Sequence, residues 1–185
     1  MDIVKIVWAI RGIIYKLVFK KVGIMSYLGK PIFVKNPKGV SIGSKVRIYP
    51  GLRIETYGVE GKIIIEENVS IGQNFHITSS GSPLIIGKNS TILGNVFITN
   101  IDHEYQQIDK PIFEQNFIQK KTVIGENAFI GYGAAIQAGT VLGKQCIVGT
   151  NSVVRGEFPD YCVIVGSPAK IVKKYNFEKN KWERV

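Results

Sequence analysis

At 185 residues with 45% apolar content, the chain is long enough for one domain with a buried core and too short for several. Its two cysteines, Cys146 and Cys162, lack metal-type spacing, which argues against a disulfide scaffold and fits a reducing, cytoplasmic compartment. The net charge of +10 favours anionic partners, whether nucleic acid, phosphorylated small molecules or acidic lipid headgroups, without selecting among them.

The first element is helical. Ile3, Ile6, Val7, Ile10, Ile14, Leu17 and Val18 recur at helical spacing, with Lys5, Lys16, Lys20 and Lys21 around them. This predicts a basic amphipathic helix. Lys5, Arg11 and Lys16 interrupt the apolar run and no small-residue cleavage site follows, so neither a signal peptide nor a transmembrane span is expected. Such a helix can cap the domain that follows, or residues 1–21 can lie on an anionic membrane face.

From residue 40 a repeat takes over. Aliphatic residues step by six through Ile42, Ile48, Ile54, then Ile65, Ile71, Ile77, then Ile86, Ile92, Ile98, and finally Ile124, Ile130, Ile136, Leu142, Val148, Val154. Gly often follows them, as in "IGSK", "IGQN" and "IGEN". A second register lies two residues earlier: Val40, Val46, Leu52, Val69, Phe75, Ser90, Val96, Ala128, Ala134, Thr140, Cys146 and Ser152. Helical spacing is absent, and a plain alternating strand would not need Gly at every sixth position. The pattern predicts an all-β fold: a parallel β-helix, three hexapeptides per coil, shaped as a triangular prism; its resemblance to the known solenoids of this repeat implies the left-handed form. The expected role of Gly is to supply unusual φ/ψ at the turns.

Three interruptions follow Ile54, Ile77 and Ile98, each after the third hexapeptide of a coil. All three insertions should therefore leave the prism at one corner. The largest, 104–121, is long for a loop without its own structure, and such loops usually carry function. His103 stands at its start. The same arithmetic places Ser79, Ser80 and Ser82 at that corner one coil below, as acceptor-binding candidates. His76, five residues after Ile71, counts to the second hexapeptide of its coil and is expected at a different corner. It reads as an exposed histidine, or as one facing a groove formed with a neighbouring subunit. At the C-terminus, Pro168 suits a helix start, and Ala169–Tyr175 is expected as a short basic helix. The predicted units are thus 1–30, 31–166 with the insertion at 104–121, and 167–185.

The block "IDHEYQQ … TVIGENAFIGYGAAIQAGTVLGKQCIVGTNSVVRGEF … GSPAKIVKKY" resembles the hexapeptide-repeat acyltransferases, above all maltose, galactoside and virginiamycin acetyltransferases and the sugar O-acetyltransferases of polysaccharide synthesis. The resemblance spans most of residues 40–175. It implies transfer of an acetyl group from acetyl-CoA within a homotrimer whose sites lie between subunits. By motif, His103 matches the catalytic histidine, with Asp102 as a candidate for orienting it. Gly131, Gly133, Ala134, Thr150, Asn151, Arg155, Lys170 and Lys173 match the CoA groove. Phe129 stands where the family often has Trp, Ser167 where it often has Asn, and Arg155 where Thr is common.

Histidine suits proton removal from a hydroxyl because its ordinary pKa is about 6.5. Lys170 would bind a CoA phosphate, aided by the N-terminus of the expected short helix. Cys146 lies in the inward series and reads as core, not nucleophile. With only two histidines the chain lacks the three-histidine zinc set of γ-class carbonic anhydrases, so no metal is expected. Charge alone points to nucleic acid, with no aromatic-interleaved basic motif behind it, so none is expected as a partner. The expected acceptor is a sugar or glycan precursor acetylated on oxygen. Amino-sugar N-acetylation and a non-catalytic binding solenoid are the alternatives.

Overall fold

The computed structural model describes residues 3–185. Three parallel sheets form the sides of a left-handed β-helix of about six turns. Sheet A stacks Lys21–Val22, Val40–Ile42, Lys62–Ile65, Pro83–Ile86, Val123–Ile124, Val141–Leu142 and Glu157–Phe158. Sheet B begins with Tyr27–Leu28 and Arg47–Ile48 and reaches Ile147–Val148 and Cys162–Gly166. Sheet C stacks Phe33–Lys35, Arg53–Tyr57, His76–Ser80, Phe97–Thr99, Ala135–Ile136 and Val153–Val154.

Register makes the step of six into a core. Ile54, Ile77, Ile98, Ile136 and Val154 lie directly over one another, as do Ile48, Ile71, Ile92, Ile130 and Val148. All of these are buried, and so is the second register from Val40 to Ser152. Buried Ser90, Thr140 and Ser152 each pair their hydroxyl with backbone, as buried polar groups must. The series also runs further upstream than expected. Val22, Leu28 and Val34 form another coil, so the solenoid starts at Lys21 and not at residue 31.

The repeat's turns divide labour differently from the expectation. The left-handed backbone position is occupied by the residue three after the inward aliphatic one, usually Asn: Asn68, Asn89, Asn127 and Asn151 have φ between 54° and 60°. Asn tolerates this region better than most residues. The glycine after the aliphatic residue serves close approach instead. A Cβ on Gly125 would lie 2.3 Å from the carbonyl oxygen of Gly143 in the next coil.

Both ends are covered. Helix α1 (Ile3–Val18) lies across the first coil. Trp8 packs on Tyr27 and Tyr49, with ring centroids 5.9 and 5.3 Å away. The Arg11 guanidinium donates to the carbonyl of Leu28 at 3.1 Å, and Gly12 comes so near that a Cβ would meet Ser26 O at 2.6 Å. At the helix C-terminus the Lys38 ammonium donates to Leu17 O at 2.9 Å, where the helix dipole favours a cation. The far end departs from expectation. Residues 169–185 form no helix; Ala169–Asn176 and Lys181–Arg184 extend sheet B as an antiparallel hairpin. Here the free edge of Cys162–Gly166 offers backbone partners that a helix would leave unpaired. Asn176 closes the turn by accepting N–H bonds from Glu178 and Lys179 at 3.0 Å.

Candidate active site

The three insertions do leave the prism at one corner, since Arg53–Tyr57, His76–Ser80 and Phe97–Thr99 are consecutive strands of sheet C. The longest is not a loop without structure of its own. Ile101–His103 pairs antiparallel with Phe117–Gln119, opposing His103 to Phe117. Buried Gln115 organises the connection: its side-chain amide donates to the carbonyls of Gln107 and Lys110 and accepts from Gln107 N–H.

His103 is half-buried in this hairpin. Its ring meets those of Phe117 and Phe113 edge-on, at 4.9 and 5.5 Å. Its Nδ1 is buried without a hydrogen-bond partner among the described residues. The side chain borders a cleft of about 180 Å³ lined also by Tyr57, Thr78, Phe97, Thr99, Ile101 and Phe117. Thr78 and Thr99 bond to each other at 2.7 Å on its floor.

Asp102 does not orient the imidazole. Successive strand residues point to opposite sides, and the Asp102 carboxylate instead accepts the backbone N–H of His103 at 3.0 Å and faces Arg155 at 3.5 Å. It holds the backbone under His103 and ties the insertion to the turn two coils above. Ser79 and Ser80 do not suit acceptor binding either. Both are buried, with the Ser79 hydroxyl on Lys62 O and Ser82 O and that of Ser80 receiving Gln119 Nε2. Asn100 knits the corner, donating to the carbonyls of Ser80 and Ser82 and accepting Ser80 N–H. Ser82 sits in this same structural turn.

Beside the cleft lies a polar network whose members, His76 apart, the sequence did not single out. His76 opens the sheet C strand His76–Ser80, at the end of the strand away from the insertion, and is paired with Phe97 on one side and Arg53 on the other. Arg53, Glu55 and Tyr57 alternate along one strand, and alternation places them on its outer face. The nearly inaccessible Glu55 carboxylate accepts Arg53 Nε at 2.6 Å and the Tyr57 hydroxyl at 2.5 Å. His76 Nε2 stands 3.4 Å away, and its ring packs on Phe97 at 4.9 Å, so this histidine is half-buried within the network. Burial raises the Glu55 pKa, but hydrogen bonds from Tyr57 and Arg53 outweigh it and hold the carboxyl below its usual range. Burial and that carboxylate push the Tyr57 phenol up to about 12. Burial and the Arg53 charge depress His76 against the opposing pull of Glu55. The only sequence signal was the R-x-E-x-Y alternation itself.

The motif-matched groove residues separate into two sets. Gly131, Gly133, Thr150 and Asn151 gather at the corner between sheets B and C, where Asn151 N–H donates to Tyr132 O at 2.9 Å. The Gly166–Lys170 segment joins them, since Gly166 N–H donates to Ser152 Oγ at 3.1 Å. Thr150, Lys170 and Lys173 are exposed there. Ala134 faces the core and contributes no side chain to a groove. Lys170 and Lys173 lie on a strand, so no helix N-terminus assists them. Arg155 belongs with Asp102 at the opposite edge of sheet C. Cys146 and Cys162 lie in the core with sulfurs 3.5 Å apart, and burial pushes the Cys146 thiol up to about 12.

Known proteins share this arrangement of coils. Residues 62–100 match the family described as "Hexapeptide repeat of succinyl-transferase", and residues 121–156 match "Bacterial transferase hexapeptide (six repeats)". A protein of Escherichia coli (strain K12) named for lipopolysaccharide biosynthesis O-acetyl transfer, WbbJ, is 34% identical over 161 residues, which is 83% of this chain and 81% of that one. The galactoside O-acetyltransferase of Lactococcus lactis is 30% identical over 56% of this chain and 49% of its own length. Among solved structures, a mutant of AntD, an N-acyltransferase from Bacillus cereus in complex with dTDP-4-amino-4,6-dideoxyglucose and coenzyme A, superposes with a TM-score of 0.77 at 19% identity, covering 91% of both chains. With its repeat, its coils and a relative matched over most of both lengths, the chain belongs to the hexapeptide-repeat acyltransferases.

Proposed function

We propose that the protein transfers an acetyl group from acetyl-CoA to a hydroxyl of a sugar or glycan precursor, with His103 as the base. The observation that carries this reading is the buried, unpartnered ring nitrogen of His103 beside an aromatic-walled cleft. A buried polar atom left unpaired costs about 1–3 kcal/mol, a cost that a substrate hydroxyl would relieve. In the proposed step, His103 takes the acceptor O–H proton as the oxygen attacks the thioester carbon. The carbon–sulfur bond then breaks and the imidazolium returns the proton to the departing thiolate. Acylation of oxygen is preferred to that of nitrogen because the O-acetyl transferase relative matches over most of both chains, whereas the likeness to the N-acyltransferase speaks for the fold.

Two features support a site shared between subunits. The cleft on one chain is smaller than the roughly 300–1,000 Å³ of ordinary ligand pockets. The exposed groove candidates Thr150, Lys170 and Lys173 also lie across sheet C from His103. A trimer that turns one chain's groove corner toward its neighbour's insertion corner would bring the two sets together.

The test is acetyl-CoA turnover against a panel of sugars and glycan precursors, wild type beside His103→Ala, with CoA binding followed by calorimetry. We expect a loss of about 10²–10⁴-fold with CoA binding retained. Normal turnover in the variant would remove His103 from the mechanism, and absence of CoA binding in the wild type would remove the transferase reading. Mixed trimers of His103→Ala and a CoA-defective Lys170→Ala/Lys173→Ala variant should regain activity if sites are shared.

A further inference from the structure

Helix α1 uses only one of its faces to cap the solenoid. Trp8, Arg11, Gly12 and Tyr15 turn toward the first coil. At 100° per residue, Ile3, Ile6, Ile10, Ile13, Ile14 and Leu17 fall within an arc of about 100° on the opposite side. They are open to solvent, Leu17 at 81% and Ile3 at 77%. So contiguous an aliphatic stripe is not an ordinary scatter of surface residues.

The charge of the chain is concentrated at the same end. Residues 3–54, which form the helix and most of the first two coils, hold 11 Lys and Arg and no Asp or Glu. Residues 55–185 hold 13 of each sign, so the rest of the described chain is neutral overall. Lys5 and Lys16 lie together along one side of the apolar stripe on the helix itself. Lys20, Lys38 and Lys62 line a cavity of about 480 Å³ at this end of the prism. A second copy of the chain would bring two strongly cationic ends together, which charge repulsion opposes.

We infer that the helix end of the prism docks on an anionic lipid bilayer, with the α1 stripe seated among the acyl chains and the surrounding lysines on headgroup phosphates. The capping and lipid-facing roles are compatible because they use opposite faces of one helix. No helix among the described residues is long and apolar enough to span a bilayer, so contact would be peripheral. The inference does not depend on the transferase reading.

Sedimentation of the full-length protein with vesicles tests it. Vesicles of phosphatidylcholine are compared with vesicles containing about one-third phosphatidylglycerol, at about 0.1 M and about 0.5 M salt, where screening differs strongly. We expect binding to the anionic vesicles only, falling at least tenfold at the higher salt. Ile10→Asp/Leu17→Asp should abolish binding with an unchanged melting temperature, and Lys5→Gln/Lys16→Gln should weaken it by roughly tenfold or more. The inference is overturned if the wild type stays in the supernatant with anionic vesicles or binds neutral ones equally well. Assembly of wild type through the helix, relieved by the aspartates and accompanied by no vesicle binding, would show that a second copy covers the stripe. The lipid and salt comparisons on wild type stand even if the double variant fails to fold.

Discussion

Tyr57→Phe deletes a single hydroxyl, and the structure says what should follow. That hydroxyl donates at 2.5 Å to the carboxylate of Glu55, whose side chain is 4% exposed. A hydrogen bond to a buried charge contributes about 1.5–3 kcal/mol. Arg53 remains on the same carboxylate at 2.6 Å, so the lower part of that range applies, about 1.5–2 kcal/mol. In a chain of this length each kcal/mol shifts the melting temperature by about 2–4 °C, giving an expected fall of about 3–8 °C at pH 7. The pH dependence makes the test sharper. Glu55 is opposed by burial yet held below its ordinary pKa, and the Tyr57 bond is the largest of the influences that lower it. A depressed carboxyl stabilises the fold above its unfolded pKa of about 4.3 and loses that contribution as pH falls through the folded value. The variant has less of this contribution to lose. The gap between wild type and variant, followed by circular dichroism melts, should therefore narrow between pH 5 and about pH 3. A gap of the same size at pH 7 and pH 3, or no gap at pH 7, would refute the assignment of this bond as charge-assisted and buried.

Gly125→Ala should cost stability heavily, with lower soluble yield and an earlier melt, because its Cβ would press on the next coil's backbone; Gly58→Asn, with open space and a φ of 69°, should stay within about 0.5 kcal/mol of wild type. Phe117 packs on both His103 and Tyr57, so Phe117→Ala should slow turnover on the order of 10–100-fold by misplacing the imidazole, while CoA affinity measured by calorimetry stays unchanged. Both thiols should resist a thiol reagent in the native protein at pH 8 and react fully on unfolding, since both are buried and Cys146 is pushed up to about 12. Rapid native modification would contradict the packing of the last coils.

The coils were legible because burial imposes a period. An inward residue at every sixth position leaves a trace that composition cannot hide, and it placed the insertions on one corner through simple subtraction. Val22, Leu28 and Val34 obey the same rule, but the adjoining helical pattern masked them. Local spacing could not give the functions of single side chains. Asp102 and His103 are neighbours in sequence and point apart on a strand. Ser79 and Ser80 sit at the right corner yet turn into it, a matter of side-chain direction that a count of residues does not reach. Glu55 resembles any solvated glutamate until stacking closes over it. The C-terminal hairpin was decided by an unpaired strand edge, a partner that exists only once the coils have assembled.

Stacked coils also set a distance. Strands within a sheet are about 4.8 Å apart, and three such steps separate Phe33–Lys35 in the first coil from Phe97–Thr99 beneath His103. The strand that leads into His103 therefore stands about 15 Å above the coil on which the helix rests, whatever the loops do. A prism docked upright on its helix would act as a rigid spacer, holding His103 at a fixed height over the bilayer. It would favour an acceptor group carried on a stem of matching length and pass over shorter ones. Removing one whole coil between the helix and the insertion would lower that height by a single strand spacing and shift the preference toward shorter acceptors.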